Sequence, residues 1–84
     1  MAFNEEWLRP GDRKLTAEEV MALPDGTAIT LMYAGQHGEK RWRDGIIRTT
    51  PSGLKIVEPI GTMQFMPERI TIRDYAGKAW VLRG

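Results

Sequence analysis

Lys40-Arg41-Trp42-Arg43-Asp44-Gly45-Ile46-Ile47-Arg48 is the stretch on which the fold turns. Its composition is that of a strand, with aromatic and β-branched residues among long polar ones. An Asp-Gly pair interrupts it. Read as a tight turn, Asp44-Gly45 makes two short strands; read as a bulge, it leaves one long strand. The bulge is the better reading, because a two-residue turn leaves strands too short to hold a ladder. Alternation then puts Arg41 and Arg43 on one face and Trp42 on the other. A small domain needs its indoles in the core, so Trp42 is expected inward and the guanidinium groups outward.

Working outward, Thr27 to Tyr33 is the clearest neighbouring strand, with Ile29, Leu31 and Tyr33 on one face. Pro51-Ser52-Gly53 is a hairpin turn, and Leu54 to Val57 forms the next strand. Arg69 to Arg73 and Ala79 to Leu82 are two more, with Trp80 and Leu82 on one side of the last and Val81 on the other. Upstream, Thr16-Ala17-Glu18-Glu19 is a capping box that starts a short helix over about residues 17–23. Val20, Met21 and Leu23 are its expected buried side, and Pro24-Asp25-Gly26 ends it. Five short strands with turns between them predict a mainly β fold: a small five-stranded antiparallel SH3-like barrel, plugged by the N-terminal helix. Its expected interior is Ile29, Leu31, Trp42, Leu54, Ile56, Ile70 and Trp80.

The chain has 84 residues, which is one domain; residues 15–84 are expected to form it, and residues 1–14 an N-terminal arm. Phe3, Trp7 and Leu8 have helical spacing in that arm, and Pro10-Gly11 halts it. There is no cysteine, which removes disulfides and thiolate chemistry and points to a reducing, cytoplasmic setting. The first residues carry acids where a signal peptide has cations, and no uncharged run is long enough for a bilayer. The net charge is +1, which argues against a generic polyanion binder. Its distribution is uneven: residues 39–55 carry five cations and two anions, residues 1–24 three cations and five anions.

The equipment for catalysis is thin. His37 is the single histidine, set between glycines in a loop, and Ser52 belongs to its turn. Glu5 with Glu6, and Glu18 with Glu19, are adjacent acids at helix starts, where acids are favourable anyway. Gly35-Gln36-His37-Gly38 lacks the Lys-Ser/Thr ending of a phosphate loop. No enzyme, metal site or cofactor is expected, and no known family motif is recognised.

Binding has more support, on two surfaces. The first is apolar: Met63, Phe65 and Met66, in the uncharged run 59–67, together with Trp7. Met and aromatic residues are common where one protein meets another. This leads to the preferred expectation, a small non-enzymatic protein-interaction module that binds a protein partner or forms a homo-oligomer. Trp7 has a plainer reading too, as a lid folded onto the domain. The second surface is basic: Lys40, Arg41, Arg43, Arg48 and Lys55, with Trp42 stacking on a base if it turns outward. In some registers Arg48 and Lys55 face each other across the hairpin and extend this strip. This leads to the alternative expectation, a nucleic-acid-binding barrel.

Overall fold

The computed structural model describes residues 2–60, 70–73 and 76–84. It is mainly β. The strands are β1 (Arg13–Leu15), β2 (Ala28–Ala34), β3 (Lys40–Thr49), β4 (Lys55–Pro59), β5 (Ile70–Thr71) and β6 (Lys78–Leu82). They form one antiparallel sheet in the order β1-β6-β2-β3-β4-β5. The expected closed five-stranded barrel is therefore corrected to an open six-stranded sheet. Among the described residues its two edge strands are three and two residues long, and no ladder joins β1 to β5. The extra strand comes from Arg13–Leu15, which pairs with β6 in the register Leu15↔Trp80.

The expected bulge at Asp44-Gly45 is also absent. β2 and β3 pair without a skipped residue from Ala28↔Ile46 to Ala34↔Lys40. Gly45 serves space rather than dihedral freedom. A Cβ there would run into the Val57 side chain and lie 2.8 Å from the Glu58 carbonyl oxygen. β4 can approach β3 this closely only because position 45 has no side chain.

The helix α1 spans Ala17–Met21, two residues shorter than expected at its C-terminal end. Its capping box is complete. The Glu19 amide donates to Thr16 Oγ1 at 3.2 Å, and the Thr16 amide donates to Glu19 Oε1 at 2.9 Å. Such a cap contributes about 1 kcal/mol. Val20 is buried and Leu23 half-buried, but Met21 points outward.

The sheet buries apolar side chains on both faces. On the helix face, Ile29, Leu31, Ile47, Val57 and Trp80 join Leu15 and Val20 in the main core. Trp80 Nε1 donates to the Arg73 carbonyl at 3.2 Å, so its polar edge is satisfied. On the opposite face, Met32, Ala79 and Val81 lie under Phe3, Trp7 and Leu8. Burying one such side chain stabilises the fold by about 1.5–3 kcal/mol.

Of the expected interior, Ile29, Leu31, Ile56 and Trp80 are buried, and Ile70 packs half-buried against the main core. Trp42 and Leu54 are not in it. Trp42 is 53% exposed and Leu54 52%. Leu54 follows the Gly53 turn and precedes the ladder of β4. Trp42 stands opposite Met32, on the arm face, at the end of the sheet that the arm does not reach. Among the described residues, no helix is long and apolar enough to cross a membrane.

Candidate functional site

The N-terminal arm decides what stays open on its face of the sheet. Asn4 caps a 3-10 turn at Glu5–Trp7 by accepting from the Glu6 amide at 2.9 Å. The Phe3 amide donates to the Gly77 carbonyl at 2.8 Å, which ties the arm beside β6. Phe3 and Trp7 meet edge to face, with ring centroids 5.8 Å apart. The arm thus covers the β6 and β2 part of the sheet, and Trp7 takes the lid position.

Beyond the arm a groove of about 610 Å³ opens over β2 and β3. Ala28 and Thr30 line it. Arg9 and Arg83 line it from the chain's two terminal segments, and Trp42 and Ile60 from the β3 and β4 side. Lys40 and Asp44 complete the lining with charge. Ile60 is 52% exposed, and its amide donates to the Asp44 carbonyl at 2.8 Å, which holds it next to β3. Trp42 also lines two smaller depressions, one with Arg43 and Pro59 and one with Tyr33 and Arg41.

Two acids organise the groove. The Asp12 side chain is 2% exposed and accepts from the Arg9 amide at 3.0 Å. Arg83 Nη1 lies 3.4 Å from the same carboxylate, and the Gly84 amide donates to its other oxygen at 3.4 Å. The Arg9 amide, above all, holds the Asp12 carboxyl below its ordinary range, with the Gly84 amide and the two guanidinium charges adding to this. One carboxylate so holds two cations, Arg9 three residues before it in sequence and Arg83 71 residues after it. Asp44 Oδ1 accepts from the Thr30 hydroxyl at 2.6 Å, directly across the ladder. The Lys40 ammonium stands 5.6 Å from the centre of the Trp42 ring, in cation–π contact.

The structure separates the residues that the sequence grouped. Lys40, Arg41, Trp42 and Arg43 do share the far end of β3, and the two arginines lie on the face opposite Trp42. Arg41 is 3.5 Å from Glu39, whose carboxyl is held low chiefly by the His37 amide. Arg48 pairs with Glu58 at 3.9 Å on the exposed surface. Lys55 does not face Arg48. The register is Arg48↔Ile56 and Thr49↔Lys55, which puts the two cations on opposite faces. Lys55 Nζ instead donates to the carbonyls of Met21 and Leu23, at 2.7 and 2.6 Å, and caps the end of α1. Met63, Phe65 and Met66 lie outside the described residues.

Arg9, Arg83, Ile60 and the Thr30–Asp44 pair escaped sequence reasoning. Nothing local announces that Arg9 and Arg83 meet at Asp12, since the contact spans nearly the whole chain. Period-2 alternation did carry one usable signal, because Thr30 and Asp44 fall on the same face as Trp42 once β2 and β3 are aligned. No protein-family model matches the chain, and neither the curated proteins nor the solved structures contain a significant match to it.

Proposed function

We propose that the chain is a small non-enzymatic interaction module that binds a protein partner through the groove beside Trp42. The observation that carries this reading is the outward indole of Trp42 in a domain with little apolar surface to spare. Tryptophan and arginine are the residues most enriched among energetic anchors of interfaces. Here Trp42 and Ile60 form an exposed apolar centre, with Arg9, Lys40 and Arg83 around it. That is the anatomy of an interface patch, apolar at its middle and charged at its rim.

A second reading, binding of single-stranded nucleic acid, draws on the same residue. An exposed Trp beside Lys40 offers a stacking platform next to a cation. The charge around the groove is against it. Three cations, Arg9, Lys40 and Arg83, meet two carboxylates, Asp12 and Asp44. Lys55 and Arg48 are engaged elsewhere. A phosphate track needs several uncompensated cations in line.

The test is affinity capture from the native host with the full chain and with Trp42→Ala, alongside anisotropy with labelled single-stranded DNA and RNA at two salt concentrations. A protein captured by the parent chain and lost with Trp42→Ala supports the module. Oligonucleotide binding at micromolar concentration that weakens steeply with salt supports the second reading and displaces the first.

A further inference from the structure

We propose that Asp12 is the latch of a hinged arm: residues 2–9 open from the sheet as one unit when its carboxylate lets go, while the main core stays folded. This goes beyond the groove and does not depend on what the groove binds.

The latch is a buried acid. The Asp12 side chain is 2% exposed, although it directly follows the exposed Pro10 and Gly11. It joins the arm to the segment after β6. On the arm side it accepts from the Arg9 amide at 3.0 Å, across a turn that the Asp12 amide closes on the Arg9 carbonyl at 2.9 Å. On the other side it accepts from Arg83 Nη1 and from the Gly84 amide, each at 3.4 Å. The β1–β6 ladder stops one residue short of this point, at Arg13↔Leu82. The carboxylate so takes the place of the next rung. The two segments cross tightly, since a Cβ on Gly84 would run into the Gly11 carbonyl. Gly11 holds a φ of 91°, which lets the chain reverse here and makes this turn the hinge.

Beyond the latch the arm is lightly held. Phe3, Trp7 and Leu8 are half-buried. The hydrogen bonds of the 3-10 turn close on the arm itself: the Glu6 amide on Asn4 Oδ1, the Trp7 and Leu8 amides on the Asn4 and Glu5 carbonyls. The Phe3 amide on the Gly77 carbonyl ties the far end. The Glu5–Lys14 ion pair is exposed on both sides and adds little. Among the described residues, the arm belongs to none of the ladders of the sheet, so its departure breaks no rung. A segment of this kind opens locally at a lower free energy than the core.

What the arm covers gives its opening a consequence. Ala79, Met32 and Trp42 stand in one row across β6, β2 and β3. Phe3, Trp7 and Leu8 lie over the first two, which are buried, and leave the third half exposed. Opening lengthens the exposed apolar row from one residue to three and frees the inner sides of the arm's own apolar residues. Asp12 thus sets how much apolar surface this face shows.

The experiment is amide hydrogen exchange by NMR, over a range of low urea concentrations, on the full chain and three variants. In the parent, the Phe3, Trp7 and Leu8 amides are expected to be at least about tenfold less protected than the Ile47 amide of β3, with little dependence on urea. Asp12→Asn is expected to speed the three arm amides at least about tenfold, the equivalent of one hydrogen bond to a charged group. Gly84→Ala presses on the same crossing from the other segment and is expected to act in the same direction, which keeps the test open if Asp12→Asn fails to fold. Lys55→Met weakens the molecule far from the arm. It is expected to speed Ile47 about tenfold and leave the arm amides within about twofold. Arm amides that share the protection and urea dependence of Ile47 in the parent, or that follow Ile47 in Lys55→Met, would show that the arm leaves only with the whole fold and overturn the proposal. Arm exchange that neither Asp12→Asn nor Gly84→Ala alters would overturn the latch.

Discussion

Thr30 and Asp44 face each other across β2 and β3, and the buried Thr30 hydroxyl donates to Asp44 Oδ1 at 2.6 Å. The bond fixes the one carboxylate that β3 turns toward the groove. Thr30→Val keeps the shape and β propensity of the side chain and removes only the donor. It is expected to cost about 1–1.5 kcal/mol, because water can partly replace the hydroxyl at the exposed end of Asp44. Urea unfolding of the single variants and of the double variant with Asp44→Asn measures the coupling directly. A coupling indistinguishable from zero would show the bond to be incidental.

Trp42 and Trp80 predict opposite outcomes for the same substitution. Trp80 is 2% exposed in the main core, and Trp80→Ala is expected to cost about 3–5 kcal/mol. Trp42→Ala is expected to cost less than about 1 kcal/mol, as for exposed positions generally. Acrylamide quenching separates them further. The most readily quenched fraction of the emission is expected to vanish in Trp42→Ala.

Gly45 is the close-approach point between β3 and β4. Gly45→Ala is expected to destabilise by about 1–3 kcal/mol, since the added methyl meets Val57 and the β4 backbone. Gly53 has open space around its missing Cβ and is constrained only by its positive φ of 88°. Gly53→Asn, which tolerates that region, is therefore expected to be nearly neutral. Thermal melts of the two variants check the contrast.

Lys55 ties the β3–β4 hairpin to the end of α1. Lys55→Met keeps the apolar stem and loses the ammonium that serves the Met21 and Leu23 carbonyls. A loss of about 1–2 kcal/mol is expected, read by urea unfolding, with no change in partner binding. An effect on binding without one on stability would return Lys55 to the interaction surface.

Acid stability follows from Asp12, Glu19 and Glu39. Each carboxyl is held low first of all by a backbone amide, from Arg9, Thr16 and His37 respectively. Their contribution is complete above the ordinary values of 3.8 and 4.5, and is lost as pH falls through the depressed folded values. Unfolding midpoints are thus expected to be flat from neutrality down to about pH 5 and to drop below about pH 4. Asp12→Asn lowers the plateau and shallows the acid limb. An unchanged acid limb in that variant would remove Asp12 from the cause.

The legible parts of the fold were local. The capping box of α1 spells itself out in Thr16 and Glu19, and alternation alone sorted Trp80 from Val81. The face assignment of β3 was also legible, but its direction was not. Alternation says that Arg41 and Trp42 diverge; it cannot say which side has a cover. That depended on where Phe3, Trp7 and Leu8 come to rest, a matter of tertiary placement. The Asp-Gly pair misled for a similar reason. Glycine there answers to Val57 and Glu58, twelve and more residues away in sequence, and not to the turn chemistry of its own neighbours. The groove itself was the least legible feature, since Asp12 gathers Arg9 and Arg83 across the length of the chain.

The strand order carries a kinetic implication. β6 is wedged between β1 and β2, so an inner strand, not an edge, is the last of these strands to be synthesised. Until residues 78–82 have left the ribosome, β2 has no neighbour on one side and β1 has none at all. The early chain can form its hairpins, but not the interior they share. Closure of the main core therefore waits on residues 78–82, because without them β1 and one side of β2 have nothing to pair with.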